Sequence, residues 1–113
     1  MRKSTPIPKP PDGLTRTARR WWSKLVDEYD LAGDEAGLLL LGEAMQALSR
    51  LETCREAINR DGAAQRDRFG QVRPHPLLAA ERDARSGMLQ ALKAMHLDIE
   101  PLRDRPGRPG SAV

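Results

Sequence analysis

The sequence predicts an all-α protomer in which a short N-terminal helix precedes a long antiparallel helical hairpin. Three observations carry this expectation. Aromatic residues make up only 4% of the chain, so a core must come from Leu, Ala, Met and Val, a set that suits helices better than sheet. Apolar residues recur at three- and four-residue steps in three separate stretches. Between and beyond those stretches, prolines and glycines gather where a helix cannot run on.

The 113 residues allow one domain with a modest core, because a small fold leaves a larger fraction of its surface wet than a large one does. Residues 1–13 hold Pro6, Pro8, Pro10 and Pro11 among Arg2, Lys3 and Lys9. They read as a flexible basic arm with nothing to bury. Residues 14–100 read as the helical domain, and residues 101–113 as a flexible Arg, Pro and Gly tail.

The first helix is expected from about Thr15 to Leu31, with Thr15 as N-cap and Gly33 just past its end. Its apolar stripe is Ala18, Trp21, Trp22, Leu25, Val26 and Tyr29. Adjacent tryptophans on a helix diverge by about 100°, so at most one faces solvent if the other packs inward. Core packing, extending into a subunit contact, is favoured over base stacking. Arg16, Arg19, Arg20 and Lys24 come first on this helix and Asp27, Glu28 and Asp30 last. That order opposes the helix dipole at about 0.3–1 kcal/mol per badly placed charge. Two readings fit, an anionic partner near Arg16 to Lys24 that offsets the cost, or a solvated polar face.

The second helix is expected from near Asp34 to Asp61-Gly62, a rod of about 40 Å at 1.5 Å per residue, closed by Gly62 in a left-handed position. Leu38, Leu41, Met45, Leu48, Leu51, Cys54 and Ile58 form its stripe. Leu38, Leu39, Leu40 and Leu41 point around nearly the whole circumference, and neighbouring helices of one chain cover only part of it. Self-association follows as an expectation, through Trp22, Leu38, Leu39, Leu40, Leu41, Met45 and Leu48.

Residues 63–76 form the connector, with Phe69-Gly70 as the turn, a short extended pair as an option, and Pro74 and Pro76 excluding continuous helix. The third helix is expected from Pro76 or Leu77 to about His96, burying Leu77, Ala80, Ala84, Met88, Ala91, Leu92 and Met95.

Nothing in the chain reads as an enzyme, and no metal or cofactor is expected. His75, His96 and Cys54 are scattered rather than set at ligand spacing. Glu81 and Asp83, two apart on a helix, lie on different faces and read as surface partners of Arg82 and Arg85. His75 reads as turn structure, capping the third helix or touching Phe69, and Cys54 as a buried thiol. The single cysteine and the lack of an apolar leader segment suggest a reducing, cytoplasmic setting. The longest apolar run, Leu38 to Leu41, falls far short of the roughly 20 residues needed to span a bilayer, so no membrane role is expected.

The net charge of +3 and the pI of about 9.5 matter less than where the charge sits. Basic residues gather in the arm, the first helix, the connector and the tail, whereas the long helix is acidic. The candidate DNA contacts are Lys3, Lys9, Arg16, Arg19, Arg20, Lys24, Arg68, Arg73, Arg105 and Arg108, since the arginine fork donates two parallel hydrogen bonds to a phosphate. Arg105-Pro106-Gly107-Arg108-Pro109 is similar to a minor-groove hook, but a proline interrupts it, which favours phosphate contact over groove insertion.

The block from Asp67 through Phe69-Gly70-Gln71, Pro74-His75-Pro76 and Glu81-Arg82-Asp83-Ala84-Arg85 resembles the signature of the phage terminase small subunits. The Trp21-Trp22 helix, the Leu38 to Leu41 helix and the Arg105 to Pro109 ending follow in the order that family shows. The resemblance implies a non-catalytic ring of roughly eight to ten copies. Such a ring binds double-stranded viral DNA in the bacterial host cytoplasm and regulates the large ATPase and nuclease subunit during packaging, with an HNH endonuclease as a possible further partner. The other readings are a dimeric helix-turn-helix regulator using Arg16 to Lys24, and an assembly adaptor with no DNA role.

Overall fold

The computed structural model of the chain describes residues 6–96. Three helices, α1 (Arg16–Glu28), α2 (Glu35–Asp61) and α3 (Leu78–Ala94), are joined by short turns and, between α2 and α3, by an antiparallel ribbon of β1 (Ala64–Arg66) and β2 (Val72–Pro74). The helical hairpin expected from the sequence is present.

Thr15 starts α1 because its extended backbone turns the hydroxyl back to accept from the Ala18 N–H at 3.2 Å. This satisfies one of the donors that every helix start leaves open. The same hydroxyl donates to Glu52, and the Thr15 N–H donates to Ser49 Oγ at 3.0 Å. One residue therefore caps α1 and ties it to the middle of α2. At the other end of α1, Leu31 lies against Gly37 in the first turn of α2. The helix thus runs antiparallel along the first half of α2.

The end of α1 departs from expectation. The helix stops at Glu28, before Gly33, because Asp30 takes the left-handed conformation (φ 55°). The Asp30 N–H donates to Asp27 O at 3.3 Å and the Leu31 N–H to Val26 O at 2.9 Å. This two-bond closure brings Leu31 onto Val26, and both are buried. Gly33 is not needed as a terminator. Asp34 then caps α2 by accepting from the Gly37 N–H at 2.9 Å.

The core lies where α1, the first half of α2 and the last turns of α3 meet. Leu14, Ala18, Trp22, Val26 and Leu31 pack there with Leu41, Ala44, Met45 and Ala91. Farther along α2, Leu51, Cys54, Ala57 and Ile58 are buried along α3. Ala84 and Ala91 are the buried residues of α3. Small side chains at a contact let two helices lie close together.

Three further expectations are corrected. Residues 6–13 do not stand off as a free arm, since the Trp22 indole N–H donates to Pro8 O at 2.8 Å and Pro8, Pro10 and Pro11 are half-buried. A proline-rich strand has already lost most of its backbone freedom, so docking it orders little that was free. Second, Trp22 is 3% exposed, and Leu41 and Met45 are fully buried in the same core. These three help to build the protomer's own core. Leu38 packs on the core and Leu40 is half-buried, so of the four leucines only Leu39 points into solvent, at 69% exposure. The arm and α1 cover more of α2 than the sequence alone suggests. Third, Gly62 has positive φ (90°) but extended ψ (147°), so it leads the chain into β1 rather than closing a left-handed cap.

Candidate nucleic-acid interface

Helical spacing brings the cations of α1 together. Arg16, Arg20 and Lys24 stand one turn apart on one face, and with Arg19, Trp21 and Ser23 they line a shallow cleft of about 550 Å³. The first turn of α1 carries no acidic residue. The cleft therefore gathers four side-chain cations, and its Arg16 and Arg19 end lies at the positive end of the helix dipole, which together favour an anion.

The cleft is partly preorganised. Arg19 donates through Nη1 to Leu14 O at 2.6 Å, which fixes that guanidinium against the capping turn. The Lys24 ammonium sits 5.4 Å from the Trp21 ring centroid, within cation–π range. Trp21 is 44% exposed whereas Trp22 is in the core. The adjacent tryptophans divide their work as the rotation per residue requires. Lys9 is exposed and follows Pro8, whose carbonyl is held by Trp22, so the arm keeps this cation on the α1 side of the molecule.

The connector arginines do not join this cleft. Arg16 begins α1 beside Ser49, and ~18 Å of α2 lies between Ser49 and Asp61, at 1.5 Å per residue, before the ribbon starts. Within the ribbon loop Asp67 organises everything. Its Oδ1 accepts from the Phe69 and Gln71 N–H groups at 2.8 and 3.0 Å, and its Oδ2 from Arg73 Nε at 2.9 Å. Arg73 also donates to Gln71 Oε1 at 3.1 Å. Its guanidinium thus braces the turn while its side chain stays largely exposed. Arg68 remains exposed at the tip, 5.3 Å from the Phe69 ring centroid, and Phe69 itself is 74% exposed. The Arg73 hydrogen bond, followed by those of the Gln71 and Phe69 amides, holds the Asp67 carboxyl below the usual aspartate range.

His75 has the structural role expected of it, though not beside Phe69. It is buried; its Nδ1 accepts from the Leu77 N–H at 3.0 Å and its Nε2 lies 3.0 Å from Asp61 Oδ2. With Nδ1 accepting, the ring proton is on Nε2 and donates to the carboxylate. The imidazole therefore links the last residue of α2 to the entry of α3. Hydrogen bonds from Arg60 and then His75 lower the pKa of Asp61. Glu81 is also differently placed. It pairs with Arg55 of α2 at 3.3 Å, across the helical hairpin, rather than with a neighbour on its own helix.

The sequence reading missed an apolar groove between α1 and α3, floored by Met45 and Leu48 of α2. Leu89, three residues before Leu92 and on the same side of α3, is the signal that marks it. Lys3, Arg105 and Arg108 lie outside the described residues. Among those described, no three His, Cys, Asp or Glu side chains gather in a way that could hold a metal ion, and no helix is long and apolar enough to cross a membrane. Neither the protein-family models, nor the curated proteins, nor the solved structures contain a match to this chain.

Proposed function

We propose that the protein is a phage terminase small subunit, a non-catalytic ring that binds double-stranded viral DNA and regulates the large ATPase and nuclease subunit. The observation that carries the DNA-binding part is the cleft that Arg16, Arg19, Arg20 and Lys24 line along α1, with Lys24 over the Trp21 ring and no acidic residue in the first turn. One such cleft contacts few phosphates. Repeated around a ring, it multiplies them, and binding then weakens steeply with salt as counterions are released. The ring, the large subunit and the host setting rest on the sequence resemblance, carried by the ribbon block around Asp67, Phe69 and His75.

The helix-turn-helix reading is less well supported. The helix after the α1–α2 turn is the one that would enter the major groove, and its outward face carries Glu35, Leu39 and Glu43. Acidic and apolar groups there oppose a duplex instead of reading it. Solution mass separates the readings. The terminase reading expects roughly eight to ten copies in a closed oligomer, together with a duplex shift that is strong at low salt and lost as salt rises. A dimer would favour the regulator, and absence of any shift at low salt would favour an assembly adaptor.

A further inference from the structure

Two rows of side chains on the protomer surface are counterparts in spacing and charge. On α2, Glu35, Leu39 and Glu43 follow one another at four-residue steps and all are exposed, Leu39 at 69%. On α3, Arg85, Leu89 and Lys93 repeat that spacing with the opposite charge, again all exposed, Leu89 at 54%. Residues four apart stand one above another on a helix and form the ridges through which helices pack. From its first charge to its last each row runs ~12 Å, at 1.5 Å per residue. The leucine and both flanking charges of one row therefore come opposite those of the other when the rows meet. Among the described residues, none of the four charged side chains has an ion-pair partner within the protomer.

The rows lie on different sides of the molecule. Leu89 borders the groove between α1 and α3, which has a volume of about 670 Å³, is floored by Met45 and Leu48 of α2 and has Trp21, 44% exposed, in its lining. Leu48 follows Leu39 by two and a half helical turns, so Leu39 points away from the side of α2 that floors the groove. One protomer cannot bring its own rows together. A second copy can, and because the two patches that meet are different, the contact runs head to tail.

We propose that the Glu35, Leu39 and Glu43 row of one copy docks on the Arg85, Leu89 and Lys93 row of the next. Leu39 enters the groove against Leu89 and Trp21 of that copy, and the glutamates meet its cations. Exposed ion pairs add little affinity. Here they set the register and oppose a contact between two like rows, whose charges repel. Each copy keeps one row free for a further copy, and repetition of the step closes a ring when the rotation per copy divides a full turn. The contact rests on the ring reading given above and supplies its subunit interface.

The test is solution mass of the full chain and of two charge-swapped variants. Glu35→Lys with Glu43→Lys makes both rows basic, and Arg85→Glu with Lys93→Glu makes both acidic. Each variant alone should fall from the closed oligomer to the 12.6 kDa of a single chain. An equimolar mixture of the two should reassemble, because each variant offers the other the opposite charge. In parallel, Leu39→Cys with Leu89→Cys in a chain carrying Cys54→Ala should give a ladder of cross-linked chains on gentle oxidation. It should form about tenfold faster than with Leu39→Cys and Glu56→Cys, because docking raises the effective concentration of the first pair. If the unmodified chain is a closed oligomer, this contact alone is overturned by variants that stay assembled, by a mixture that does not reassemble, or by equal cross-linking of the two pairs. A monomeric or dimeric unmodified chain overturns the ring and this contact together.

Discussion

Asp30 shows how one residue decides where a helix stops. A left-handed conformation disfavours any side chain with a Cβ, although aspartate tolerates it better than most. Asp30 also places a negative charge at the negative end of the α1 dipole. Asp30→Gly relieves both, and about 1 kcal/mol of stabilisation is expected, measurable as a raised midpoint in denaturant titration. Two glycines make a matched pair. A Cβ at Gly87 would meet nothing within 4 Å, so Gly87→Ala should stabilise α3 by ~0.5–1 kcal/mol through backbone entropy. At Gly37 the same atom would come within 2.6 Å of Asp34 Oδ2, the side chain that caps α2. Gly37→Ala should therefore forfeit that gain by displacing a cap worth about 1 kcal/mol, and thermal melts of the two variants should move apart. Residue-level features were legible in the sequence where local chemistry decides them. Thr15 as a cap, the opposite facing of Trp21 and Trp22 and the buried Cys54 depend on neighbours a few positions away, whereas which tryptophan turns inward does not, and the sequence had set Trp22 at a subunit contact. The stop at Asp30 was not legible, because the burial of Leu31 on Val26 settles it and Gly33 offers a plausible alternative in the sequence.

Among the elements, the joint between α2 and α3 depends on His75. Its ring takes the Leu77 N–H on one nitrogen and gives a proton to Asp61 on the other. His75→Ala leaves a partly buried donor unpaired and opens a void at the entry of α3, and a loss of about 1–3 kcal/mol is expected, seen as faster amide exchange in the first turn of α3. Acid should loosen the same region. Asp61 and Asp67 both titrate below the ordinary 3.8 in the folded chain. The stability they contribute is complete above that value and is lost as pH falls through their lower folded values. Amides of Phe69 and Gln71, which donate to Asp67, should lose protection there while those of α1 keep it. Helix existence and order could be read from the apolar period because α2 buries a continuous stripe and α3 turns Ala84, Met88, Ala91 and Leu92 to one side, although Ala80, expected in that stripe, is exposed. The docking of the proline-rich arm could not, since it rests on the Pro8 carbonyl, a backbone group whose partner no side-chain pattern announces.

For the whole molecule, assembly through a leucine belt is the expectation most changed by the structure. Leu38 and Leu41 help to build the protomer's own core, and Trp22 and Met45 do the same, which leaves Leu39 with Glu35 and Glu43 one turn to either side of it. The cations divide into the α1 cleft and the ribbon tip. The α1 group of Arg16, Arg19, Arg20 and Lys24 was visible in the sequence, but the difference between the connector arginines was not, because Arg73 reads like Arg68 until Asp67 is seen to hold it. The most direct measurement of the account is duplex affinity across a salt series for the full chain and for Arg16→Ala with Arg20→Ala and Lys24→Ala. Each lost phosphate contact should flatten the slope of log affinity against log salt by about 0.9, so the variant should bind more weakly and depend less on salt. Equal affinity and equal slope in the two proteins would contradict a DNA-binding role for the α1 cleft.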